Sequence, residues 1–198
     1  MSYEDALKGL SEGTARVVEQ LWAAVESGQI TRTDFPAIAA DLIGIARIRG
    51  AAAAETAFRG YLEAATGVPV AVSTGASLAD RDRLVKAIDV VLASELDTAM
   101  QLIRLATNEP LDAAATAYGD ALGRSRLVSG WRRGVEAGAC QLCVWWAREG
   151  RVFARSHRMP RHTGCACHQI PVVDQMTDNY QTAAQTADAA RKLARRTH

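Results

Sequence analysis

Cys140-Gln141-Leu142-Cys143 and His162-Thr163-Gly164-Cys165-Ala166-Cys167-His168 hold every cysteine of this 198-residue chain and two of its four histidines. Thiolates and imidazole in two close pairs, each carried by a short turn, are the donor set of a tetrahedral zinc site. The 18 residues between the pairs would form a loop that the metal closes. Cys-x2-Cys alone also serves redox chemistry, so the weight rests on the second half, His-x2-Cys-x-Cys-His. The pattern predicts one Zn2+ held by Cys140, Cys143, His162 and Cys165. Cys165 is preferred because the two-residue spacer after His162 mirrors the first knuckle. Cys167 is the substitute if the turn is tighter.

Two disulfides would use four cysteines equally well. The N-terminus Met1-Ser2-Tyr3-Glu4-Asp5 is acidic, however, and no apolar stretch of a secretory signal follows it. A chain with 48% hydrophobic residues also needs no covalent staple. A thioredoxin-like pair calls for a βαβ setting, and nothing upstream reads as strands. Catalytic zinc fits less well than structural zinc. A nucleobase deaminase needs His-x-Glu upstream and Pro before the knuckle, whereas Ala139 precedes Cys140 and no histidine lies upstream. His-Glu-x-x-His is absent too. In an HNH-type nuclease His157 or His168 would have to serve as base, and the Asp-His pair and central Asn of that site are missing. With four good ligands the site reads as closed and structural.

The elements that must hold this cluster are mostly helices. Leu7, Leu10, Val17, Val18, Leu21 and Val25 recur at the helical period, and Gly28 is placed to end the run. Thr33 or Asp34 before Pro36 starts a second helix with Phe35, Ile38, Leu42 and Ile45 on one face, continuing to Leu62 and ending at Gly67-Val68-Pro69. Ser77 with Asp80 resembles a capping box for a third helix through Val85, Ile88, Leu92, Leu96, Ala99 and Ile103. Asn108-Glu109-Pro110 reads as its break. A fourth helix then carries Leu111, Tyr118, Leu122, Val128, Trp131 and Val135. Beyond Gly138 the pattern gives a short helix from Cys140, a strand at Gly150–Phe153 and a second at Ile170–Val173, paired as a hairpin. The expected fold is therefore mainly α, a helical domain over 1–137 with a zinc-knuckle module over 138–173. A marginal helix or tail over 174–198 completes it.

Charge is uneven. Residues 1–110 carry 10 lysines and arginines against 15 acids, and residues 111–198 carry 13 against 7. Nine arginines and two acids fall within 124–161. Arg132, Arg133, Arg151, Arg155, Arg158 and Arg161 are the candidate contacts to nucleic acid or to an acidic protein partner, since clustered arginines neutralise phosphates without reading sequence. Trp145 and Trp146 could stack on bases, though beside a knuckle their expected job is to cover the metal. No stretch is apolar enough to span a membrane, and no small-molecule substrate site is indicated.

Over residues 130–171 the order of motifs resembles the C-terminal motif of the Mu F-like phage head morphogenesis proteins, minor capsid proteins of tailed phages. The carriers are Gly130-Trp131-Arg132-Arg133-Gly134, Ala139-Cys140-Gln141-Leu142-Cys143, Gly150-Arg151-Val152-Phe153, His162-x2-Cys165-x-Cys167 and Pro171. The versions from phages of actinobacteria are most similar, in keeping with the alanine and arginine bias. Many members have a proline after the histidine of the second knuckle; here Thr163 follows, and Gly164 is placed to supply the turn. The resemblance implies a non-enzymatic virion component made in few copies in the host cytoplasm. It would meet portal or capsid proteins, and packaged DNA, while assisting assembly, packaging or ejection. The alternatives from the residues alone are a DNA-binding zinc protein and an HNH-type nuclease.

Overall fold

The computed structural model describes residues 2–71, 80–135 and 139–173. Ser77 and the segment 174–198 lie outside the described residues. The order is α1 (Tyr3–Glu26), α2 (Phe35–Thr66), α3 (Arg81–Leu92), α4 (Thr98–Arg124), β1 (Val128–Arg133), α5 (Gln141–Ala147), β2 (Phe153–Ala154) and β3 (Gln169–Val173), with a 3-10 turn at Arg148–Gly150. The protein is mainly helical, with a small antiparallel sheet towards its C-terminal end. Among the described residues no helix is long and apolar enough to cross a membrane.

Local chemistry explains most helix ends. Ser2 and Asp5 form a reciprocal capping box at α1. Asp97 caps α4 by accepting from the Met100 N–H at 2.9 Å. Gly67, in the left-handed conformation, closes α2. The four long helices bury two apolar clusters placed end to end. One takes Val18 and Trp22 from α1, Phe35, Ala39 and Ile43 from α2, Leu84 and Ile88 from α3, and Leu102 from α4. The other takes Leu7, Ala54, Phe58, Leu62, Leu111, Tyr118 and Leu122, and adds Val128, Trp131 and Ala166 from the C-terminal segment. Alanine and glycine dominate the buried face of α2, so it approaches α4 closely. Ile38 and Ile45, expected in the core, are exposed.

At the waist between the clusters α4 runs straight through Pro110, where the sequence predicts a break. A Cβ on Gly50 of α2 would lie 2.5 Å from the Pro110 carbonyl oxygen, so only glycine admits the α4 backbone here. The preceding residue, Glu109, is buried and paired with Arg47 and Arg83. Proline removes one backbone donor; packing on both neighbouring helices holds the turn regardless. Gly50→Ala is expected to cost about 1–3 kcal/mol by forcing α2 and α4 apart, read as a lower denaturation midpoint. The real interruption comes earlier, at Ala93–Asp97. It exposes Leu96, which the helical pattern had placed in the core.

Val128 and Trp131, expected on a fourth helix, belong instead to β1. This strand is the centre of the sheet, in the order β2-β1-β3. Gly130 pairs with Ala154, and Trp131 with both Phe153 and Pro171. The two late strands expected to pair with each other are therefore separated by an earlier one. The sheet draws on residues from both sides of the expected boundary at 137/138, and the helices share a core with it. Tyr61 of α2 donates to the Pro171 carbonyl at 3.1 Å, and Asn108 of α4 accepts from the Gly164 N–H at 3.2 Å.

Candidate metal centre

Two separated pieces of chain bring the donors together. Cys140 precedes α5 and Cys143 lies in its first turn. His162 and Cys165 flank a tight turn in which the Cys165 N–H donates to the His162 carbonyl at 3.2 Å. Gly164 supplies the positive φ, +76°, that this turn requires. Cys167 follows, buried beside Cys165.

The donor atoms converge. His162 Nε2 lies 3.2 Å from Cys140 Sγ and 3.1 Å from Cys143 Sγ, and Cys143 Sγ lies 3.4 Å from Cys165 Sγ. Cys140, Cys143 and His162 form one triad with donors within 4.8 Å of one another, and Cys143, Cys165 and Cys167 form a second. Cys143 belongs to both. The cluster of five could therefore bind a metal ion. The four cysteines form no disulfide.

Surrounding groups set the chemistry of these donors. The ring nitrogen Nδ1 of His162 lies 2.9 Å from the Thr163 carbonyl oxygen. A carbonyl only accepts, so in the neutral ring Nδ1 carries the hydrogen and Nε2 presents its lone pair to the thiols. The backbone N–H groups of Cys143 and Leu142 hold the Cys140 thiol below its ordinary range. Burial pushes the Cys143 thiol up to about 12, with the Arg133 guanidinium pulling the other way. A bound cation inverts such a shift, because its own charge is the largest in the site.

Arg133, expected on an exposed basic face, is buried against the cluster instead. Its Nη2 donates towards Cys143 Sγ at 3.4 Å and Cys165 Sγ at 3.7 Å, and its Nη1 donates to the Pro160 carbonyl at 2.7 Å. The guanidinium carbon sits 5.1 Å from the centre of the Trp146 ring. The alternation of β1 puts residue 133 inward and Arg132 outward. Sequence charge alone cannot tell these two arginines apart; the strand register does. Arg161 is also engaged, donating to the carbonyls of Leu111 and Cys165 and pairing with Asp112 at 3.1 Å. It ties the second knuckle to α4. Arg132, Arg151, Arg155 and Arg158 are exposed. Arg155 donates to the Ser125 carbonyl at 3.0 Å, and the other three make no ion pair among the described residues.

The two tryptophans divide. Trp146 lies over Arg133 and near the His162 ring, at 6.4 Å between centroids, which covers one side of the cluster. Trp145 points away and is 63% exposed. Neither of the other central histidines joins the donors. His168 Nδ1 lies 2.8 Å from Glu4 Oε1, between Tyr3 and Tyr118, and His157 stacks on Phe153. Arg133→Ala is expected to weaken metal binding about 10- to 100-fold, because the guanidinium balances thiolate charge and orients two sulfurs. A competition titration with a chromophoric chelator measures it. Compared with protein-family models, with curated proteins and with solved structures, the chain matches none.

Proposed function

We propose that the protein is a minor head protein of a tailed phage, without enzymatic turnover, in which the Cys/His cluster holds a structural zinc ion. The observation that carries the zinc reading is the pair of overlapping donor triads, Cys140, Cys143 and His162 on one side and Cys143, Cys165 and Cys167 on the other, joined at Cys143. Thiolate and imidazole donors suit zinc. Tetrahedral zinc sets its sulfur–sulfur edges at roughly 3.8 Å and its sulfur–nitrogen edges at roughly 3.6 Å. The contacts of 3.1–3.4 Å need to open by a few tenths of an ångström, and Cys165, outside the triad of Cys140, Cys143 and His162, must close on it. Cys140, Cys143, His162 and Cys165 are the assigned ligands, with Cys167 as substitute for Cys165. The metal would supply a cross-link between α5 and the second knuckle. Arg133 balances its thiolates, and Trp146 shields it from water.

The minor-head reading rests on the resemblance over residues 130–171, and the local geometry is compatible with it. Gly130 faces the Phe153 backbone, with no room for a Cβ. Pro171 sits opposite Trp131. Each recurring element thus has a packing role in one small module. The exposed arginines then serve contacts to the portal, the inner shell or packaged DNA. Quantitative mass spectrometry of purified particles is the test. The protein is expected at low copy in procapsids or mature virions, and its absence from both defeats the reading. A DNA-binding zinc protein is the second reading, favoured by Arg132, Arg151 and Arg158 standing exposed without ion pairs among the described residues.

A further inference from the structure

Trp146, beside the metal cluster, also lines a cavity of about 480 Å³. Its walls include Trp146, Arg148, Arg151, Phe153 and His157. The rings stand in near-parallel planes. Phe153 and His157 are 5.2 Å apart at 13°, and buried Trp131 lies 4.6 Å from Phe153 at 21° and 6.1 Å from His157 at 25°. Exposure rises outward, from buried Trp131 through half-buried Phe153 to exposed His157. The Trp131 indole N–H donates to the His157 carbonyl at 3.0 Å, fixing the outer residue on the inner ring. At the rim, Arg151 lies over Phe153 at 5.4 Å and Arg148 over Trp145 at 6.0 Å.

The backbone at this rim is unusual. Arg148 and Glu149, neither of them glycine, have φ of 45° and 55°, and Gly150 follows at 86°. Left-handed conformations in consecutive L-residues are disfavoured and collect at ligand-binding places. Here the turn sets Arg148 and Arg151 on one lip of the cavity. Neither makes an ion pair among the described residues. Between residues 139 and 173 the chain has a single acid, Glu149, against five arginines.

We propose that this ring-lined, arginine-rimmed cavity binds single-stranded nucleic acid, one base stacking on the exposed ring of His157 while Arg148 and Arg151 hold the flanking phosphates. Aromatic faces accept any base, and arginine forks both stack and bind phosphate, which is how single strands are held without sequence preference. The basic residues here are all arginine, which offers a stacking plane that lysine lacks. A duplex keeps its bases stacked on one another and cannot offer a face to rings within a cavity. The proposal does not rest on the minor-head reading, since any cell contains single-stranded nucleic acid.

The test uses the metal-loaded full chain and fluorescence anisotropy with labelled oligothymidylate of about 10 nucleotides, at about 50 mM and about 200 mM salt. Oligothymidylate is expected to bind roughly tenfold or more tightly than a duplex of equal length or inorganic polyphosphate. His157→Ala is expected to weaken it by about five- to 100-fold. Arg151→Glu should weaken it and flatten its salt dependence. Both side chains are exposed, so metal content and circular dichroism should match the parent protein. Equal or tighter binding of duplex, polyphosphate or a polyglutamate peptide overturns the proposal, as does unchanged binding in both variants. Absence of binding at the lower salt overturns it as well. None of these outcomes bears on whether the protein is found in virions.

Discussion

Stripping the proposed zinc with a chelator is expected to open half of the molecule and leave the other half folded. Structural zinc contributes on the order of 10–16 kcal/mol of apparent binding energy in small modules, comparable to the whole stability of an ordinary domain, about 5–15 kcal/mol. The knuckles have few apolar residues of their own, so α5, the second knuckle and the strand pairings should be lost together. The damage does not stop there. Ala166, Val128 and Trp131 close the cluster that contains Leu7, Phe58, Leu62, Tyr118 and Leu122. Protection from hydrogen exchange should therefore fall around those residues too. The cluster of Val18, Phe35, Ile43, Leu84 and Leu102 has no member from the C-terminal segment and should keep its protection. Loss throughout both clusters would mean a single cooperative unit. No loss in either would mean that the donors do not hold the module together.

The second large effect lies at the waist. Glu109→Ala is expected to destabilise the protein by about 1.5–3 kcal/mol, because it removes the buried acceptor of charge-assisted hydrogen bonds from both Arg47 and Arg83. Arg47 reaches both Glu109 and Asp80, and Arg83 meets the same two acids, at 2.7 Å and 3.7 Å. Glu109 is the buried member of this network, and its removal leaves Arg47 and Arg83 with Asp80 alone. Exchanging the surface pair Arg81 and Asp41, more than half exposed on both sides, should change little by comparison. Urea unfolding of the two variants side by side separates these expectations. A Glu109→Ala loss below about 1 kcal/mol would assign the network to the solvated surface.

The donors were legible because ligand spacing is written in the chain itself: two residues between Cys140 and Cys143, two between His162 and Cys165. Gly28 and Gly67 marked helix ends for the same reason, since their backbone role is local. What stayed hidden depended on partners distant in sequence. Pro110 reads as a breaker until Gly50 is seen to make room for its turn. Val128 and Trp131 continue the helical spacing of Tyr118 and Leu122, so the period alone could not give the strand. Their spacing also fits β1, whose bulge near Ser129 shifts the alternation. Arg133 looked like one more surface charge because its partners are two sulfurs and a carbonyl on other segments. Leu96 fitted an apolar stripe that the Asp97 cap interrupts.

The middle strand of the sheet is made before either of its neighbours. Val128 must wait for Val173, and Trp131 for Phe153 and Pro171, while the first helical cluster is complete once α4 has begun. During synthesis the nascent chain thus holds one finished core and one open one, with Leu7, Phe58 and Tyr118 lacking their cover and both edges of β1 unpaired. Such an interval favours association with other chains. With zinc at the cluster as proposed, a cell short of zinc would prolong it, so the supply of a metal ion would govern how much of the protein survives as single, folded molecules.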